Sequence, residues 1–409
     1  MYAIIQAPSE CSDARASVPD MEAPRIEGSL GRMKLSCLQE NLKRGLAIVG
    51  HAVAGKSTLP VLSHILLATD DGRLKLAATN LEVGITCWIG AKIEEEGAIT
   101  IPAKLLSDVV GGLPNDKISL ALDARTQTVN LNCARFEASI KGIEADEFPV
   151  IPTIADREPT AAFPPDLLRD TIDQVAFAAA TDDTRPVLAG VLMRLKGKTA
   201  TFAAADGFRL ALRNVELPEP VAEPQEVIVP ARALTELARI IGDAESNVEI
   251  TVTPTGGQVL FHTENTELVS RLIEGRYPDI ERIIPSSYAT RTVLETQDLA
   301  KAVKLASYFA TASSNIVRLT IETGGELGPG KLTISANAAE VGDNKGELDG
   351  MVHGEGGQIA LNVKFLGEAL NAIKTAQIAI ETQTAQNPGV FKPVGTEGYL
   401  HIVMPMTVR

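Results

Sequence analysis

Ile101-Pro102-Ala103 opens the helix-like stretch KLLSDVVGGL, Val229-Pro230-Ala231 opens RALTELARIIG, and Leu361-Asn362-Val363 opens KFLGEALNAI. A segment that recurs three times at a spacing of about 130 residues makes the chain a repeat protein before it is anything else. Two further families of matches keep that spacing. Thr58-Leu59-Pro60-Val61-Leu62 recurs as Thr184-Arg185-Pro186-Val187-Leu188, and both copies read as a strand that follows a helix. Leu76-Ala77-Ala78-Thr79-Asn80 recurs as Phe202-Ala203-Ala204-Ala205-Asp206 and again as Ile334-Ser335-Ala336-Asn337, with Asn80, Asp206 and Asn337 matched. Each copy therefore reads helix, strand, strand, a second helix after the Pro or Asn turn, then further strands. Val248 to Val252 and Val259 to His262 carry the period-two alternation of such strands. The fold class is α+β with antiparallel sheets, in three copies spanning 33–152, 153–285 and 286–409. The Pro/Glu-rich stretch from Pro152 to Pro165 and the turn at Pro285-Ser286-Ser287 read as linkers. Residues 1–32 lack periodicity and read as a disordered extension, or as a start set upstream of the true one at Met33.

Composition excludes several classes. The chain has 409 residues, 45% of them apolar, which is enough for real cores. Its 38 Lys+Arg against 52 Asp+Glu leave a net charge of −14, so bulk charge would repel a polyanion. No apolar run is long enough for a membrane helix and no export signal opens the chain, so a soluble cytoplasmic protein is expected. Cys11, Cys37, Cys87 and Cys133 are widely spaced and read as free thiols, with no zinc or disulfide framework. Aromatics are 4% and Trp88 is the one tryptophan, which argues against stacking platforms for single strands.

Gly50-His51-Ala52-Val53-Ala54-Gly55-Lys56-Ser57 satisfies G-x-x-x-x-G-K-[ST]. The phosphate-binding mechanism needs a strand before that loop and a helix after it. Here Leu38, Leu42, Leu46 and Val49 precede it at helical spacing, and Pro60 follows it at once. The five histidines are scattered singly, with neither HExxH nor a Ser/His pairing. Nothing in the sequence asks for a reaction, a cofactor or a metal.

Ala205-Asp206-Gly207-Phe208-Arg209-Leu210-Ala211, then Gly275-Arg276-Tyr277-Pro278-Asp279-Ile280-Glu281-Arg282-Ile283-Ile284-Pro285, then Ile402-Val403-Met404-Pro405-Met406 resemble, in kind and order, the bacterial sliding-clamp family, the beta subunits of DNA polymerase III. The likeness runs from Met33 to Arg409. It implies a non-catalytic processivity factor, a head-to-tail homodimer whose three clamp domains per chain close a ring with helices inside and sheets outside. Such a ring would encircle double-stranded DNA of any sequence. It would tether the polymerase III catalytic subunit, the clamp loader and other clamp-motif proteins of replication and repair. Heterologous contacts that close avoid filaments, and an acidic total is compatible with a basic lumen that screens phosphates loosely. A P-loop nucleotide hydrolase and a repeat scaffold without DNA are the rival classes, against which stand the repeat length and the motif set.

The resemblance also implies site residues. Lys56, Arg185, Lys104, Arg232 and Arg239 would face DNA, with Lys43, Arg44, Arg169, Lys301, Lys304 and Lys364 as further candidates. A pocket for partner peptides would use Leu188, Gly207, Phe208, Arg209, Leu210, Pro278, Arg282, Ile283, Val403, Met404, Pro405 and Met406. Methionines suit a socket that takes several ligands. Phe208 stands where the family commonly has a polar residue, Pro186 and Val187 where it often has polar or aromatic ones, and the ending Thr407-Val408-Arg409 is a further departure.

Overall fold

Each third of the chain supplies two helices that pack on one another and a set of antiparallel strands behind them. The computed structural model describes residues 32–407 except 56, 154–157, 183, 243, 245, 255 and 325–328. The N-terminal extension with Cys11, Lys56, part of the first linker, Val408 and Arg409 thus lie outside the described residues.

The first third holds β1 (Lys34–Leu38), α1 (Gln39–Gly50), β2 (His64–Asp70), β3 (Arg73–Thr79), β4 (Val83–Ile89), β5 (Lys92–Glu95), β6 (Ala98–Pro102), α2 (Ala103–Gly112), β7 (Lys117–Asp123), β8 (Thr128–Cys133) and β9 (Phe136–Lys141). The middle third holds β10 (Ala161–Phe163), α3 (Pro165–Val175), β11 (Gly190–Lys196), β12 (Thr199–Ala205), β13 (Arg209–Glu216), β14 (Gln225–Pro230), α4 (Ala231–Ile240), β15 (Val248–Val252), β16 (Gln258–Thr263) and β17 (Thr266–Arg271). The last third holds β18 (Thr290–Glu295), α5 (Thr296–Ala310), β19 (Ile316–Glu322), β20 (Gly330–Ala338), β21 (Gly342–Gly354), β22 (Gly357–Asn362), α6 (Val363–Ala372), β23 (Gln377–Thr382), β24 (Gly389–Pro393) and β25 (Tyr399–Val403).

The first helices bury one stripe each, Leu42, Leu46 and Val49 on α1, Leu168, Ile172 and Val175 on α3, Leu299, Val303 and Ala306 on α5. Their matched spacing fixes the structural register of the repeat. Two sheets run across the boundaries between thirds: β10-β15-β16-β17-β4-β3-β2-β6 joins the first two, and β14-β11-β12-β13-β25-β24-β23-β18-β21-β20-β19-β22 joins the last two. The remaining sheet, β5-β1-β7-β8-β9, stays within the first third.

Four expectations need correction. An opening strand (β1, β10, β18) precedes the first helix of each copy. Pro60–Ser63 and Pro186–Ala189, expected as strands, are 3-10 turns, because proline at the first position presets φ and brings no N–H to a ladder; the strands begin at His64 and Gly190. The stretch expected as a linker already contains β10 and the start of α3. Finally, Asn80 and Asp206 each cap the turn after their strand by accepting main-chain N–H groups, from Glu82 and Val83 and from Phe208 and Arg209. Asn337 instead sits inside β20 opposite Asp343, so the third match is displaced from the turn.

Candidate partner pocket and inner helix face

The pocket segments converge where β13 pairs with β25. The register there is Arg209↔Val403, Leu210↔Ile402, Ala211↔His401, Leu212↔Leu400 and Arg213↔Tyr399. Alternation along the two strands sends Leu210, Leu212, Leu400 and Ile402 to one face, where they join Leu188, Leu192, Tyr277, Ile280, Ile283 and Val390 in an apolar cluster. Tyr277 anchors that cluster: its hydroxyl accepts from Ala205 N at 2.9 Å, and burial pushes its pKa up to about 12. The rim is exposed. Phe208 is 59% accessible, Met404 N donates to Phe208 O at 2.8 Å, and Arg282 is exposed beside Asp279, 2.9 Å away. Pro278 is exposed, Pro405 and Met406 are half-buried, and Met406 N donates to Ala360 O. Gly207 has φ +92, and an added Cβ would lie 2.7 Å from the Arg185 guanidinium.

Leu188, Gly207, Phe208, Leu210, Ile283 and Met404 are therefore brought together, but two expected wall residues turn the other way. Val403 belongs to the core of the last third. Arg209, 8% exposed, points to the helix side of the sheet, where its guanidinium lies over the rings of Phe177 and Phe365. There it pairs with Asp206 at 3.0 Å and with Glu368, and donates to Phe177 O at 2.7 Å. The apolar cluster also takes in Tyr277, Ile280, Ile402 and Val390, which were not among the expected pocket residues; period-two alternation through 399–403 was the signal that places Ile402 and not Val403 on the face of that cluster.

His401 lies on the helix side as well, stacked on Phe177 with ring centroids 5.5 Å apart, and neither ring nitrogen has a hydrogen-bond partner among the described residues. Burial, and the Arg209 charge after it, lower its pKa from 6.5 to about 3. Between those values the unfolded chain holds a proton that the folded chain excludes, so stability falls as pH drops below 6.5, by roughly 1.4 kcal/mol per pH unit for this group. His401→Phe keeps the stack and removes two unpartnered nitrogens. Thermal unfolding should show it more stable by about 1–3 kcal/mol at neutral pH and less acid-sensitive at pH 5. Equal acid sensitivity in both chains would refute the neutral buried imidazole.

On the helices, Lys104, Arg232 and Lys364 hold the same position in α2, α4 and α6, all exposed and without an ion pair among the described residues. Lys43 and Lys304 are likewise exposed, whereas Arg169 pairs with Asp166, Lys301 with Asp298 and Arg239 with Glu236. Arg185 is held by Asp182 at 3.4 Å and lies beside Gly207 at the pocket. The loop after α1 leads into a 3-10 turn, so the nucleotide-binding arrangement of strand, loop and helix is absent from the described residues around it. Among the described residues no group of His, Cys, Asp and Glu could hold a metal, and no helix is long and apolar enough to cross a membrane.

Three family models cover this chain, all of the DNA polymerase III beta subunit: the N-terminal domain over residues 33–152, the central domain over 162–279 and the C-terminal domain over 281–407. The chain is 33% identical over 396 residues to the beta sliding clamp of Synechocystis sp., covering 91% of this chain and 99% of that one. It is 28% identical over 384 residues to the beta sliding clamp of Bacillus subtilis, with 91% and 99% covered. Among solved structures it superposes on the DNA polymerase sliding clamp from Bacillus subtilis with a TM-score of 0.86 at 27% identity, covering 92% of this chain and 100% of that one. It superposes on a sliding clamp from Pseudomonas aeruginosa bound to griselimycin with a TM-score of 0.82 at 28% identity, with 92% and 100% covered.

Proposed function

The chain belongs to the DNA polymerase III beta-subunit family, and from that membership we propose how this sequence closes its ring, holds DNA and receives partners. It is a sliding clamp, a non-catalytic processivity subunit. The units of the proposal are the domains 33–152, 153–285 and 286–409, working in the cytoplasm as a head-to-tail homodimer.

The observation that carries the reading is a third junction left half-built at each end of the chain. Two junctions are filled internally, β17 on β4 and β13 on β25, by five antiparallel residue pairs each. The repeat counterparts that remain, β9 and the 342–350 part of β21, each pair on one side only among the described residues. Free edges of that length invite association, and a second chain set head to tail covers both while closing the ring. The helices agree. His51 after α1 meets Glu236 of α4 at 2.9 Å, and Phe177 after α3 lies against Arg209 of β13, which pairs with Glu368 of α6. The third member of that series, Tyr308 with Leu305 on α5, is exposed at 60% and 56%, and on α2 the counterparts of Phe365 and Glu368 are Leu105, 48% exposed, and Asp108. Light scattering at micromolar concentration should return twice 43.4 kDa; a monomer would overturn the ring.

DNA runs through the hole against the inner helices. Replacing Lys104, Arg232 and Lys364 by alanine removes six cations from the ring, and the log–log salt slope of binding should fall by about five units at most. Partner peptides of the polymerase and the clamp loader dock in the pocket. A buried Leu and Phe contribute about 1.5–3 kcal/mol each, which after ordering costs gives a Kd on the order of micromolar. Met404→Ala with Arg282→Ala should abolish binding of a fluorescein-labelled octapeptide ending in Leu-Phe and leave the dimer intact. Full affinity in that variant would move the docking surface elsewhere.

A further inference from the structure

Resting on the pocket reading, we propose that Arg209 is a positioning residue that couples the pocket wall to the set of the last domain against the middle one, so that peptide occupancy and the rigidity of that junction rise and fall together. The sheet separates its guanidinium from any peptide, since its register partner Val403 and its neighbour Leu210 face opposite ways. What it touches instead are three separate elements. Phe177 follows α3, Phe365 and Glu368 belong to α6, and Asp206 forms the turn of the pocket rim. Asp206 is the transmitting group. One of its oxygens pairs with the guanidinium while the other accepts the N–H groups of Phe208 and Arg209, which holds Phe208 O toward Met404 N.

The internal repeat supplies a control built into the same chain. At the junction of the first and middle domains the turn is capped likewise, by Asn80, but the residue at the position of Arg209 is Val83, and the counterpart of Glu368, Glu236, pairs with His51. Among the described residues, the junction that bears the proposed pocket is the one whose rim turn is tied by a part-buried ion pair, Arg209–Glu368, to the facing helix. By linkage, a clasp that favours the peptide-ready rim is itself favoured by the peptide.

The test measures affinity of the fluorescein-labelled octapeptide ending in Leu-Phe for the full-length protein and for Arg209→Met, Arg209→Lys, Glu368→Gln, Arg209→Met combined with Glu368→Gln, and His51→Ala. Arg209→Met and Glu368→Gln should each weaken binding about tenfold, with the double variant no worse than either and Arg209→Lys recovering part of the loss. His51→Ala should bind as the parent does. Hydrogen exchange supplies the reciprocal reading: saturating peptide should slow exchange in α6 and β25 of the parent and not of Glu368→Gln. If Arg209→Met does not fold, Glu368→Gln alone decides. Affinity within twofold of the parent in Glu368→Gln overturns the coupling, whatever Arg209→Met does, because a loss confined to Arg209 would mean direct contact. A parent chain that binds no peptide overturns the pocket reading itself, and this proposal with it.

Discussion

Leu305→Asp combined with Tyr308→Asp yields a folded monomer. Both side chains are more than half exposed on α5, so aspartate there costs the isolated chain little. In the proposed ring they would take the positions that Gln174 and Phe177 fill within the chain, facing α2 with Leu105 and Asp108. The double change removes two apolar burials of about 1.5–3 kcal/mol each and sets new carboxylates toward Asp108. A loss of about 5 kcal/mol at one interface corresponds to between three and four orders of magnitude, and with two such interfaces in the ring to about seven orders in the dimer Kd. Sedimentation velocity from nanomolar to tens of micromolar should find one 43.4 kDa species, with an unchanged far-ultraviolet spectrum. A dimer of parental strength would show that the chains meet along some other surface.

On closed circular duplex the loaded protein outlasts its own affinity. The proposed lumen cations, Lys104, Arg232 and Lys364 from each chain, would give weak, strongly salt-dependent attraction, so a short open-ended duplex should release the protein at once and bind almost none above physiological salt. Escape from a circle requires breaking a protein interface, which salt of that strength barely affects. Lifetimes on circular DNA should exceed those on linear DNA by orders of magnitude, collapse when the circle is cut, and collapse equally for the Leu305→Asp, Tyr308→Asp chain. Similar lifetimes on circle and line in the parent would mean that surface attraction holds the protein, and encirclement would be abandoned.

What was legible in the sequence was whatever local period encodes. The threefold repeat, the apolar stripes through Leu42, Leu168 and Leu299, the second helices after Pro102, Pro230 and Asn362, and the incompatibility of Pro60 with a nucleotide loop all follow from spacing and backbone chemistry within a dozen residues. The apolar floor of the pocket was partly legible, since Leu188, Leu210 and Ile283 are found in one cluster. Motif membership says that a residue belongs to a segment; only pairing says which side of the sheet it takes. Arg209 and Val403 were therefore misread, because their direction depends on the β13–β25 register, set between strands that lie almost two hundred residues apart. The same holds for charge. Lys104 and Arg239 look alike as letters, but Glu236, one helical turn away, pairs with the second and nothing among the described residues pairs with the first. By itself the sequence determined how many times one domain occurs and what each helix buries, because those are short-range consequences of side-chain period. Tertiary structure alone decided which face of β13 and β25 carries the apolar cluster and, among the described residues, which cations have no ion pair and which strand edges have no neighbour, because each is a property of chain segments that meet only after folding.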